Sequence, residues 1–410
     1  MCKNILIRAR RRAGRLLREW IPYQRQYQPT SFWERSSLLP TQPDSRAHYQ
    51  EIVPGYVSHL DVPADFYERA SDYGGLYGKP NHRERVKPSF VLSLENGRLY
   101  ADNLNSVAII TADNRLVGDA SFQFTSTKWD LVRPEDNNIF RQRYFLTPTE
   151  VPGTVCSLLS GGGAATGNYY HWLIDSLPRL HLVREAGLLA QIDYFLVYDK
   201  TKRFVLDTLA PLGIRPEQLI DVSTHRHLRA RRLIVSSAVR GEQTHTPNWA
   251  CDFLRDVLLP SPLPERRFGP YLYVSRRDAP GRHVRNEAAM EAVLREYGFE
   301  THVLTPYSQA EKIALFAHAR VIISPVGAGL ANIVFSPPGT ELIELLPERF
   351  MVPDYLELAA RLGITHRHLV CSDETLSRTR GAAQFDHITV DLTALRRQVE
   401  AALRRPVVSV

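Results

Sequence analysis

The feature that most constrains this chain is a rhythm that begins near residue 153. From there onward, apolar runs of strand length alternate with stretches of helical periodicity, broken once by "LPSPLPERRFGP" (259–270), which holds four prolines. Such alternation specifies parallel sheets covered by helices on both faces. Before the proline stretch, "TVCSLLS", "YFLVYD" and "RRLIVSSA" read as strands, with helices over 168–187, 202–212 and 248–258. After it, "YLYVSRR", "FETHVL", "RVIISPVGAG", "TELIELLP" and "THRHLVC" read as five strands, with helices over 285–297, 308–318, 329–335, 354–362 and 392–404. The fold class is therefore α/β. Two Rossmann-like domains joined by a proline linker face each other across a cleft, and such clefts hold ligands.

Upstream, residues 90–150 read as a short β-rich segment with turn signals at Asn96-Gly97 and Asp113-Asn114. Residues 21–89 show little periodicity and are expected to form an irregular extension wrapped over a domain. The expected organisation is a tail and extension over 1–89, a first domain over 90–260 and a second over 265–410. A chain of 410 residues is long enough for two cores.

Charge narrows the partners. Of a net charge of +7, six units fall in residues 1–20, where seven basic residues face Glu19 alone. The body is close to neutral, which argues against nucleic acid as a partner. The tail "MCKNILIRARRRAGRLLREW" interleaves arginines with Ile5, Leu6, Ile7, Leu16, Leu17 and Trp20. It is too short and too charged to span a bilayer and lacks the features of a secretory signal. It reads either as a basic amphipathic segment on anionic lipid or as a solvated terminus. The expected location is cytoplasmic, peripheral at the inner face of the membrane. Cysteines at 2, 156, 251 and 371 form no CxxC pair and read as buried thiols.

Three segments carry chemistry. In "SPVGAGLANIVFSPPG" (324–339), Gly327, Ala328 and Gly329 sit where a strand feeds a helix. Small residues there admit a phosphate to backbone N–H groups and to the helix N-terminus. Asn332 stands where a dinucleotide fingerprint needs its third glycine, and Glu344 is placed to meet a ribose hydroxyl. In "YVSRRDAPGRHVRNE" (273–287), Ser275, Arg276 and Arg277 end a strand, Arg282 lies in the loop, and Asn286 opens the next helix. Arginine forks at the carboxyl end of a parallel strand suit a diphosphate. The third is "NYYHWLIDSLPRL" (168–180), preceded by the glycine-rich "SGGGAATGN". His171 and Asp175 are four apart and share a helix face, as do Asp175 and Arg179, so a catalytic pair competes with a surface ion pair. No Asp-x-Asp pair follows an apolar strand, so a metal-held nucleotide is not suggested.

Together and in this order, these segments resemble glycosyltransferase family 61, the bacterial capsular-polysaccharide type. The resemblance covers roughly residues 90–350. It implies a GT-B-like architecture with a nucleotide-sugar held mainly by the second domain, and inverting transfer without an essential metal. The donor, expected to be a UDP-sugar, is a co-substrate, and no cofactor is expected. The acceptor would be a glycan or lipid-linked glycan in surface or capsular polysaccharide synthesis. Donor contacts would come from Ser275, Arg276, Arg277, Arg282, Asn286, Gly327, Ala328, Gly329, Asn332 and Glu344. Asp175 would act as the acceptor-side base, with His171 as its orienting partner or substitute. Val326 departs from the family pattern, where histidine often precedes the Gly-Ala pair. The competing readings are an NAD-dependent oxidoreductase using the glycine-rich turn and a catalytically inactive glycan-binding or assembly protein.

Overall fold

The computed structural model describes residues 24–42, 46–71, 82–101, 106–124, 131–161, 167–240, 245–263, 265, 267–372 and 380–404. The tail 1–20 and most of the glycine-rich loop (162–166) lie outside the described residues.

The fold is mixed α/β with parallel sheets and helices. Four strands form the parallel core of the first lobe: β1 Thr149–Ser157, β2 Tyr194–Val197, β3 Leu219–Asp221 and β4 His227–Ser236. They lie in the order β3-β2-β1-β4, all parallel. Five strands form the second sheet: β5 Tyr271–Ser275, β6 Glu300–Val303, β7 Val321–Pro325, β8 Glu341–Pro347 and β9 Thr365–Cys371. Their order is β6-β5-β7-β8-β9, also all parallel. Each order reverses direction once, between β1 and β4 and between β5 and β7. A crevice opens beyond the strand ends at such a reversal.

Helix boundaries follow local chemistry. Asn248–Leu258 and Asp354–Leu362 form over the residues that periodicity predicts. Ser308 accepts from the Glu311 amide while Glu311 accepts from the Ser308 amide, fixing the start of helix Gln309–Ala317. The stretch 168–187 is less simple. Asn168 caps the Tyr170 amide at 3.0 Å. The chain then widens over Trp172–Ser176, where the Leu177 amide bonds the Trp172 carbonyl at 2.9 Å, an i→i−5 turn. Helix resumes at Arg179, just past Pro178, which has no N–H to donate. Wide turns of this type are rare inside helices and often lie at functional sites.

One expectation changes. The extension is not irregular throughout: Ala47–Val53 pairs antiparallel with Ser89–Glu95, which pairs in turn with β4. Its apolar positions are dispersed among polar ones, which hides the strand from periodicity. The proline stretch 259–270 lies between the two parallel sheets in the chain. Helix Asn248–Leu258, upstream of it, lies between the lobes: Trp249 stacks on His181 at 5.2 Å, and Arg255 donates to the Val334 and Ser336 carbonyls at 2.9 Å. One buried apolar cluster runs through both lobes, from Leu173 and Phe195 to Leu330 and Phe335. Cys156, Cys251 and Cys371 are buried, and no disulfide joins them.

Candidate active site

The strand ends at both reversals open into one cleft of about 2880 Å³. The first lobe contributes Ser160, His171, Asp175 and Arg240 to its lining, and the second contributes Arg276, Arg282, Gly327 and Asn332.

On the first lobe, His171 Nδ1 lies 2.6 Å from Asp175 Oδ2. The other carboxylate oxygen accepts from Arg240 Nε at 2.5 Å, while Arg240 Nη2 reaches Oδ2 at 3.2 Å. Burial would raise the Asp175 carboxyl, but the Arg240 charge and the His171 hydrogen bond outweigh it and hold it at about 2. Asp175 is therefore ionised and weakly basic. The surface ion pair weighed for Asp175 and Arg179 does not form. Arg179 instead donates to the main-chain oxygen of Asp175 at 3.3 Å and to the Ser236 carbonyl at 3.0 Å.

On the second lobe, Arg276 and Arg282 are mostly buried and form no ion pair with a carboxylate among the described residues. The Nε of each is buried without an acceptor. Desolvation lowers Arg276; burial, then the neighbouring Arg276 charge, lowers Arg282 to about 10. Two cations side by side with unmatched donors form a site that an anion completes. Arg282 also holds a left-handed backbone, φ +59°, unusual for a residue with a side chain. Gly327 explains how Arg276 fits: a Cβ there would stand 1.7 Å from Arg276 Nη1. Ala328 and Gly329 line the cleft at the start of the tight helical segment Ala328–Phe335.

The structure separates the remaining residues of the expected donor set. Asn332 is fully buried and joins the lobes, its Oδ1 accepting from Tyr169 Oη at 2.7 Å. Ser275 gives its hydroxyl to Glu287 at 2.6 Å. Arg277 does not line the cleft with Arg276. It pairs with Glu291 and lies 3.5 Å from Glu287. Asn286 clamps the C-terminal segment, exchanging hydrogen bonds with the Val390 backbone at 2.8 and 3.0 Å.

Glu344 does not meet the cleft. It lies within β8 and is wholly buried, 2.8 Å from His366 Nε2. Burial, reinforced by the Asp354 charge, raises its carboxyl well above the usual range, while burial lowers His366 to about 3. A ribose hydroxyl has no access to it. Val326 is buried and its amide is committed to the Leu345 carbonyl at 3.0 Å, continuing the sheet.

Sequence reasoning missed Arg240, Asp354 and Tyr355. Arg240 was findable, since it follows the end of β4 as Arg276 follows the end of β5. Asp354 and Tyr355 open a helix and carry no local signal of a role in the cleft.

The chain matches no curated protein. Residues 169–343 match the family model described as Glycosyltransferase 61. The matched span runs from the His171–Asp175 helix through Arg276, Arg282 and Gly327 to β8, and does not favour the oxidoreductase alternative. Residues 169–343 therefore form a glycosyltransferase family 61 domain, and the protein is a glycosyltransferase.

Proposed function

We propose that the protein is a GT-B-type, inverting, metal-independent transferase that moves a sugar from a UDP-sugar to a glycan acceptor in surface or capsular polysaccharide synthesis. The observation that carries the reading is the Arg276–Arg282 pair, half-buried at the second sheet's reversal with an unmatched, buried Nε on each. The β- and α-phosphates of a nucleotide-sugar would supply the missing acceptors. The two guanidinium groups and the amides beginning Ala328–Phe335 would take up the charge that develops as the diphosphate leaves.

The opposite lobe supplies the proton acceptor. Because Asp175 is held at about 2, it serves better as the orienting anion than as the base. It fixes His171 through Nδ1, leaving Nε2 to take the acceptor proton. As that proton leaves, the acceptor oxygen bonds the anomeric carbon and the bond to the diphosphate breaks. A base on one lobe and a leaving-group site on the other favour a single displacement with inversion. Among the described residues no helix is long and apolar enough to cross a membrane. We assign the basic segment 1–20 to an anionic lipid surface near a lipid-linked acceptor.

The test is a panel of nucleotide-sugars and free nucleotides. UDP should protect the protein thermally where NADH does not, one UDP-sugar should be consumed with inversion, and EDTA should leave the rate unchanged. Loss of transfer in EDTA with recovery in magnesium or manganese would refute the arginine-held diphosphate. Removal of residues 1–20 should release the protein from anionic vesicles and spare soluble turnover.

A further inference from the structure

Arg240 belongs to the first lobe but bonds a carboxylate of each. Besides its two bonds to Asp175, its Nη1 donates to Asp354 Oδ1 at 2.9 Å. Tyr170 Oη donates to the same Asp354 oxygen at 3.2 Å, and the Arg240 guanidinium lies 5.2 Å from the Tyr170 ring centre. Asp354 opens a helix of the second lobe. The next residue, Tyr355, gives its hydroxyl to the Gly327 carbonyl at 2.6 Å, and Gly327 is the residue over which Arg276 lies. Bonded contacts thus run from the donor turn through Tyr355 and Asp354 to Arg240, Asp175 and His171. The Arg240, Asp175 and Asp354 side chains are only 14%, 11% and 19% exposed.

One guanidinium is thus shared by two carboxylates, Asp175 of the first lobe and Asp354 of the second, in a mostly buried network.

We propose that Arg240 and Asp354 are positioning residues for glycosyl transfer: Arg240 fixes Asp175 on His171, and Asp354 reaches across from the donor lobe to hold Arg240. The base is then complete only when the two lobes are in register. This inference rests on the reading of His171 as the base.

The experiment compares the full chain with Arg240→Met, Arg240→Lys, Asp354→Asn and His171→Gln. It measures UDP affinity by calorimetry, UDP release from UDP-sugars, and the downfield imidazole N–H resonance of His171, identified by its loss in His171→Gln. We expect UDP affinity to hold in all four. The kcat should fall about 100-fold in Arg240→Met and about tenfold in Asp354→Asn, with donor KM unchanged. Lysine should not rescue, because a point charge cannot hold two carboxylates as a planar fork does. The His171 resonance should shift or vanish in Arg240→Met and Asp354→Asn, a result that stands whether or not a UDP-sugar is turned over. A merely structural ion pair would lower Tm while leaving kcat and the resonance as in wild type, and that outcome overturns the proposal, as does the absence of the resonance from wild type. Transfer at wild-type rate by His171→Gln would refute the base itself.

Discussion

Arg240 and the Arg276–Arg282 pair occupy equivalent places, each beyond a strand end beside a reversal in strand order, yet their surroundings are opposite. Arg240 is saturated by Asp175 and Asp354. Arg276 and Arg282 lie near enough to repel and each keeps a buried, unmatched Nε donor. A guanidinium already bonded to carboxylates organises its neighbours and has little left for a ligand. One that is desolvated without a counterion is poised for an anion. The same residue type at the same topological position thus serves the protein's own side chains in one lobe and, in the proposed function, a substrate in the other.

The comparison breaks most visibly at the dyad. Replacing His171 by alanine should lower the transfer rate by a factor of about 100 to 10,000, with UDP affinity retained. Near wild-type turnover would leave the first-lobe network without a catalytic role. The next effect is on the donor side. Arg276→Ala and Arg282→Ala should each weaken UDP binding by about 1.5–3 kcal/mol, tenfold or more, in calorimetry. Gly327→Ala should act in the same direction without unfolding the protein, since its methyl group would displace the Arg276 guanidinium. Unchanged UDP affinity in all three would remove the anion site.

A pH measurement sharpens the contrast further. The folded Asp175 carboxyl, at about 2, lies below its unfolded value near 3.8. Its contribution to stability is therefore complete above about pH 4 and is lost as pH falls through about 2. It is worth on the order of 2 kcal/mol. Acid unfolding followed by tryptophan fluorescence should show this loss, and Arg240→Met should move it to higher pH. The smallest effect belongs to Arg277. Its carboxylate partners are partly exposed, so Arg277→Ala should cost at most about 1 kcal/mol and leave UDP affinity unchanged. A tenfold weaker UDP affinity would return Arg277 to the donor site.

Much of the scaffold was legible because periodicity and capping are local. The helices at 248–258 and 354–362 and the strand at 365–371 could be placed from apolar spacing alone. The strand Ala47–Val53 was not, because its apolar residues do not alternate cleanly and pairing with Ser89–Glu95 defines it. In the site, the four-residue spacing of His171 and Asp175 gave their shared face. Their neighbours could not be read the same way. Arg179, four residues on, suggested a partner for Asp175, whereas the true cation is Arg240, 65 residues away. Glu344 looked like a strand-end carboxylate, but its strand continues to Pro347 and buries it.

The sequence by itself determined the α/β class, the two parallel units, the helix that brings His171 to Asp175, and the glycine that leaves space beside a strand end. These follow from spacing, steric size and hydrogen bonding among residues close along the chain. Only the tertiary structure decided which arginines are spoken for. Whether a guanidinium is matched or unmatched depends on carboxylates brought by other elements, as Asp354 is brought to Arg240 across 114 residues, and on how far burial strips water from both. Charge pairing acts through space at a few ångströms, and the linear order of residues does not record that distance.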